Sequence, residues 1–238
     1  MTINLTTMIL TTMFLYLVGY YLLNYLIWGR QRVPPVLHCG LFGYSGKDPV
    51  DPLRLTFLAA ENQERGDDAT GVYGNFLSKS TKKAKDFVVT SEFKAAIEGA
   101  NTIIGHTRKA TVGFKVQANA HPFELEEGTG KDKKGVVGTH NGQIFFQCLE
   151  QLQKKYDLAK TEVDSEFIYK LLLHHNFDYD KTLSELEGFI ALAFIRPEFP
   201  EYLYLYHRAS RPLAVGFLNG SSMYYSSETE PLDLIGCT

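Results

Sequence analysis

The hydrophobic pattern divides the chain into two unlike parts. From Met1 to Gly29 there is no charged side chain, and Met8 to Trp28 reads MILTTMFLYLVGYYLLNYLIW, about the ~20 residues that span a bilayer as a helix. Arg30 and Arg32 follow at once and Pro34-Pro35 breaks any helix running on, so a boundary falls near residues 30 to 38. Residues 1–38 are thus an apolar leader and candidate transmembrane segment, and residues 39–238 a folded domain. With the basic residues on its C-terminal flank, the positive-inside rule would leave that domain in the cytoplasm, anchored through residues 8–28. Alternatively the leader is a propeptide, or an extension the mature protein never carries.

Beyond the leader the pattern is short and mixed. Cys39 to Tyr44 reads as an apolar strand, and DPLRLTFLAAENQERG from Asp51 as a helix with an Asp-Pro start, Leu55, Leu58 and Ala59 on one face and Gly66 as its stop. TGVYGNFL after Thr70 and DFVVT from Asp86 look β-rich, and SEFKAAIEG predicts a helix capped by Ser91 and ended by Gly99. NTIIGHT (101–107) is a buried-strand pattern. The long polar stretch from Arg108 to Lys134 reads as a loop of the kind that builds binding sites. Gly135 to His140 predicts a strand ending in an Asn141-Gly142 turn. Two amphipathic helices follow, roughly Ile144–Tyr156 and Asp164–His175, then four strands, FIALAFI, YLYLYH, PLAVGFL and SMYYSS. Strands at both ends, helices between them and no regular βαβ alternation favour a layered α+β fold.

Composition adds few constraints. With 45% hydrophobic and 21% charged residues the chain is ordinary for a globular core. A net charge of -3 argues against nucleic acid as a partner, and the basic run KSTKKAK (79–85) reads as a solvated loop. Cys39, Cys148 and Cys237 have neither metal-ligand spacing nor a disulfide framework, which suits a reducing compartment.

Four polar clusters stand at strand ends or turns: ERGDDATG (64–71), GHTRKATVG (105–113), NAHPF (119–123) and THNGQ (139–143). Each alone makes an ordinary turn. In order, behind CGLFG and ahead of the acidic DSE, they resemble the class II glutamine amidotransferase domain, the N-terminal-nucleophile hydrolases at the front of glucosamine-6-phosphate synthase and amidophosphoribosyltransferase. The resemblance implies an αββα sandwich, two antiparallel sheets between helical layers, and L-glutamine as substrate, hydrolysed to glutamate and ammonia through a cysteine thioester. It implies no cofactor, and no metal at His106, His121 or His140, which fall on motif histidines that support strands and loops.

Residue by residue, Cys39 matches the nucleophile, Asn141 and Gly142 the oxyanion donors, Arg108 the grip on the substrate's α-carboxylate and Asp164 the grip on its α-ammonium. Thr111 is counted with the substrate-binding residues, and Arg65 matches an arginine that organises the cysteine's surroundings, although Arg65 and Asp68 could instead form a simple ion pair. The chain departs from the synthase motifs RGYDSAG, HTRWATHG and NAHPH at Asp67, Lys109, Val112 and Phe123, among other positions. None of these removes a matched group. A larger departure is that Cys39 is internal, its nitrogen bonded to His38. A free α-amine, with a pKa of roughly 7.7 to 8.0, would supply the base for the thiol, and an amide nitrogen cannot. Cleavage at His38–Cys39, a different start, or a catalytically silent, membrane-anchored glutamine-binding module are the three readings. No acceptor domain follows before Thr238, so ammonia would pass to a separate synthase subunit, be released, or belong to a longer chain.

Overall fold

Strand β1 (Gly40–Gly46) lies at the centre of a sheet, flanked on one side by β4 (Thr102–Arg108) and on the other by β10 (Ser222–Ser226). This computed structural model describes residues 39–208 and 211–238; the leader 1–38 and its candidate span lie outside the described residues. Among the described residues no helix is long and apolar enough to cross a membrane. With β2 (Ala69–Tyr73), β3 (Leu77–Ser80) and β9 (Ala214–Leu218), the first sheet runs β3-β2-β4-β1-β10-β9. The second runs β5 (Phe123–Glu127), β6 (Lys134–Ile144), β7 (Gly188–Arg196), β8 (Phe199–Arg208). Every pairing is antiparallel.

Three apolar cores hold four layers together. Helices α1 (Pro52–Asn62), α2 (Ala84–Phe87), α3 (Ser91–Ile97) and α7 (Glu230–Leu234) cover the first sheet over Phe42, Leu55, Leu58, Phe93 and Ile103. Helices α4 (Phe146–Tyr156), α5 (Asp164–His174) and α6 (Tyr179–Glu185) cover the second over Phe167, Leu171, Ile190 and Phe194. Between the sheets the seam is thinner, with Leu41, Ile104, Val137, Ala191, Ala193 and Tyr225. Two antiparallel sheets between helical layers is the αββα sandwich expected.

Local chemistry explains the elements, and several differ from expectation. Asp51 caps α1, its side chain accepting from Leu53 and Arg54 N–H groups, with Pro52 at the first helical position. Thr90, not Ser91, caps α3, its Oγ1 accepting from Phe93 N–H. The stretch DFVVT is not a strand: Ala84–Phe87 coils into α2, Phe87 and Val88 are buried in the first core, and Val89 is 65% exposed. Three adjacent apolar residues here serve one packed turn and not a two-faced strand. The polar stretch after Arg108 is not all loop, since it contains β5, which pairs along one edge of β6. Nor is Asn141-Gly142 a turn: β6 runs through both, opposite Ala191 and Ile190 of β7. Gly142 has φ 157°, and an added Cβ would overlap the Phe189 carbonyl oxygen, so glycine is required for close strand approach and not for reversal. Lys79, from the run read as solvated, donates to the carbonyls of Ala118 (3.2 Å) and Ala120 (2.9 Å) and ties β3 to the segment before β5.

Phe167 is fully buried in the second core, so Phe167→Ala is expected to destabilise the domain by about 3–5 kcal/mol, read as a lower urea midpoint with unchanged m-value.

Candidate active site

Cys39 immediately precedes the central strand, and the pairing Gly40↔Thr107 brings it beside the C-terminal end of β4, where Arg108 stands. Close packing fixes this end of β1. A Cβ at Gly40 would crowd Thr107 Oγ1 and Asn62 Oδ1, so only glycine lets the strand sit there. The sulfur is bracketed by one residue's backbone: Lys109 N–H donates to Cys39 Sγ (3.4 Å), and Sγ lies 3.5 Å from the Lys109 carbonyl. Burial pushes the thiol pKa up, while the Lys109 N–H and the Arg108 and Arg65 charges pull it down and Asp164 raises it. Cys148 and Cys237 lie elsewhere, in the second and first cores.

Arg65 holds the backbone of Cys39. Its Nε donates to the Cys39 carbonyl (3.0 Å), and its guanidinium pairs with Glu228, just past β10. Arg65 and Asp68 therefore do not pair with each other; Asp68 takes Lys115 (2.6 Å) and the Ala110 N–H (2.9 Å).

Arg108 is buried and donates to the carbonyls of Phe114 (2.9 Å) and Val112 (2.7 Å). Two of the five donors of its fork are used in shaping the 109–116 loop, which leaves three for a carboxylate. Asp164, first residue of α5, is buried; Oδ2 accepts from Ile144 N–H (2.8 Å) and Oδ1 from Ser165 N–H (2.9 Å). A carboxylate has about four lone-pair sites, so it retains capacity for an ammonium group. Asn141, buried in β6, donates to Ser227 Oγ at a long 3.4 Å, a bond that crosses between the sheets. Thr111 stands apart from this group. It is exposed on the loop and has no hydrogen bond among the described residues.

Of the seven residues expected at the site, the structure thus gathers Cys39, Arg65, Arg108, Asn141, Gly142 and Asp164 at one end of the sandwich. Ser227 and Glu228 join them unforeseen. Ser227 Oγ accepts from Leu41 N–H (2.9 Å) and its N–H donates to Leu41 O (2.9 Å), extending β1–β10 pairing to the site. The sequence showed these two only as the tail of an apolar strand. Arg211 is also unforeseen: it stacks over Phe189 (5.2 Å to the ring centroid), and its Nε is buried without a partner among the described residues.

A neutral histidine layer backs the site. His106 Nε2 donates to the His140 carbonyl (3.1 Å), its ring stacks on His121 (centroids 4.0 Å), and His140 sits between Ser165 Oγ (2.9 Å) and the Phe189 carbonyl (3.3 Å). Burial lowers the His106 pKa to about 3 and depresses His121 and His140 as well. Among the described residues no His, Cys, Asp or Glu cluster is arranged to hold a metal. A cavity of about 780 Å³ lined by Ser45, Lys47, Tyr73, Asn101 and Glu201 is at the other end of β1 and β4 and contains none of the site residues.

No family model matches the chain. Curated relatives do. It is 30% identical over 210 residues to the glutamine–fructose-6-phosphate aminotransferase (isomerizing) of Methanosarcina acetivorans, covering 80% of this chain and 33% of that one. To the protein of the same name from Aquifex aeolicus it is 34% identical over 199 residues, covering 79% and 32%. The chain therefore spans about a third of the length of these relatives. Among solved structures it is similar to the glutamine phosphoribosylpyrophosphate amidotransferase from B. subtilis (TM-score 0.65, 23% identity, 84% of this chain and 44% of that one). A structure described as the allosteric regulatory enzyme of purine biosynthesis aligns with TM-score 0.68, also at 23% identity and the same coverage. At that identity the structures speak for the fold.

The histidine layer makes folding acid-sensitive. His106 binds a proton more readily unfolded, near pKa 6.5, than folded, at about 3, so its contribution is complete above 6.5 and is lost as pH falls toward 3. Between pH 7 and 5 this residue alone is expected to remove about 2 kcal/mol of stability, measured by urea unfolding at the two pH values, with His121 and His140 adding in the same direction.

Proposed function

We propose that this chain, which carries a domain of the class II glutamine amidotransferase family, hydrolyses the side-chain amide of L-glutamine at Cys39. The observation that carries the proposal is the convergence of Cys39, Arg65, Arg108, Asn141 and Asp164, drawn from five separate segments, around one buried strand end.

The reaction follows from what each group can do. With its α-amine free, Cys39 passes its thiol proton to that amine and the sulfur attacks the carboxamide carbon. The oxyanion so formed is met by the Asn141 amide and the Gly142 N–H, two neutral donors. Collapse of the tetrahedral species breaks the C–N bond, and the α-ammonium gives its proton to the leaving nitrogen, which departs as ammonia. Water, activated by the same amine, then cleaves the thioester to release glutamate. Arg108 and Asp164 bind the α-carboxylate and α-ammonium, a pair of opposite charges that together recognise a zwitterionic amino acid. Arg65 keeps the Cys39 carbonyl in place while the sulfur changes partners.

Ammonia is handed to an acceptor on a further domain or subunit. Support comes from the relatives, whose names couple glutamine to fructose 6-phosphate and whose chains are about three times as long as the matched part.

The test uses protein whose N-terminus is verified as Cys39 by intact mass. Glutamate is expected to appear from L-glutamine, to vanish in Cys39→Ala, and to fall about 10²- to 10³-fold in kcat for Asn141→Ala. Glutamine-dependent thermal stabilisation with no glutamate released, and no labelling of Cys39 by a glutamine-mimicking electrophile, would replace the enzyme with a binding module.

A further inference from the structure

Lys109 occupies an unusual position, because its backbone and its side chain have separate attachments. The backbone brackets the Cys39 sulfur through its N–H (3.4 Å) and carbonyl (3.5 Å). Its Nζ reaches Asp67 at 3.1 Å and Asp68 at 3.8 Å across the neighbouring loop. That loop is itself fastened. Asp68 N–H donates to the Arg108 carbonyl (2.9 Å), Asp68 Oδ2 accepts from Ala110 N–H (2.9 Å), Lys115 pairs with Asp68 (2.6 Å), and Lys83 pairs with Asp67 (3.3 Å). The two backbones lie so close that a Cβ on Gly66 would overlap Arg108 and Lys109 main-chain atoms.

Asp67 and Lys109 are also two of the positions at which the chain departs from the motifs RGYDSAG and HTRWATHG. Where those motifs carry an aromatic residue at each place, this chain has an ion pair. The charges are partly exposed, the side chains being 37% and 27% accessible for Asp67 and Lys109. An isolated pair at such a site is worth at most about 1 kcal/mol. Its leverage is positional, since a displacement of Lys109 of a few tenths of an ångström is enough to loosen a 3.4 Å N–H···S contact.

We infer that Lys109 is a positioning residue for the nucleophile, its side chain clamped by Asp67 and Asp68 so that its own N–H stays on the Cys39 sulfur. The inference rests on the reading of Cys39 as the reactive thiol. It assigns Asp67 and Lys109 a role in setting how readily that sulfur ionises.

The clamp and a simple field effect have opposite signs for one variant. Asp67→Asn removes the anion paired with Lys109, which by charge alone favours the thiolate; by releasing Lys109 it removes a hydrogen bond to the thiolate and disfavours it. The measurement is iodoacetamide alkylation of Cys39 against pH in the full chain, resolved from Cys148 and Cys237 by peptide mass spectrometry. For Asp67→Asn the midpoint is expected to move up by about half a pH unit, roughly a threefold loss of rate at pH 7.5 relative to the variant's own alkaline plateau. Lys109→Met should move it the same way, and Lys109→Arg should restore it. A midpoint that stays or falls in Asp67→Asn, or a Lys109→Arg variant as shifted as Lys109→Met, overturns the inference. Alkylation reports on the sulfur whether or not glutamine is turned over, so failure of the clamp and failure of the amidotransferase reading give different results.

Discussion

Arg65 Nε donates to the Cys39 carbonyl while its guanidinium is tied to Glu228, joining the end of the α1 loop, the start of β1 and the segment after β10 at one point. The site is built around this junction. β1 is central, so both neighbours act on its first residue: β4 ends in Arg108 and leads into Lys109, which brackets the sulfur, and β10 leads into Ser227, which pairs with Leu41. An edge strand could not be clamped from two sides. The position of Cys39 is therefore a property of the sheet order as much as of any local sequence.

The second sheet reaches the same point through close approach. Asn141 crosses to Ser227, and Gly142 allows β7 to come near enough that no side chain fits between them. The buried histidines are held neutral by burial: His106 and His140 direct ring nitrogens at carbonyls and a hydroxyl, and His121 stacks on His106 with both nitrogens unpartnered among the described residues. They act as shaped spacers. Charge at this end of the molecule is carried instead by the guanidinium groups of Arg65, Arg108 and Arg211, the carboxylates of Asp164 and Glu228, and the Lys109, Asp67, Asp68 and Lys115 cluster on the adjoining loops.

Much of this was legible beforehand because periodicity and motif order are local. The helices at Pro52–Asn62, Phe146–Tyr156 and Asp164–His174 and most strands follow from apolar spacing, with a capping side chain, Asp51, at the first of these helices. What failed were dipeptides and short runs with two meanings. Asn141-Gly142 has the composition of a hairpin turn, yet the same glycine serves a strand that needs no Cβ. Phe87-Val88-Val89 has strand propensity, but two of the three are taken by the core of a helical turn. Partner choice was less visible still. Arg65 finds Glu228 at a separation of 163 residues and not Asp68, three positions away, because strand order brings Glu228 to it. Thr111 lies on the exposed side of a loop whose inner side is fixed by Arg108.

The surroundings of the sulfur also bear on where its base must come from. Among the described residues the groups in hydrogen-bond range of Cys39 Sγ are the Lys109 N–H and carbonyl, and neither can accept a proton at neutral pH. His106 bonds to the His140 carbonyl, His140 to Ser165 Oγ and the Phe189 carbonyl, and His121 has no hydrogen-bond partner among the described residues; none is bonded to the sulfur. Asp164 is occupied by two backbone N–H groups. Burial meanwhile raises the thiol pKa, which increases the need for a base at the moment of attack. The one nitrogen whose basicity depends on a single covalent bond is that of Cys39 itself. As an amide to His38 it has none; as a free amine it titrates near ~8 and lies on the same residue as the nucleophile. On the proposed reading, reactivity at Cys39 therefore depends on the state of the His38–Cys39 bond.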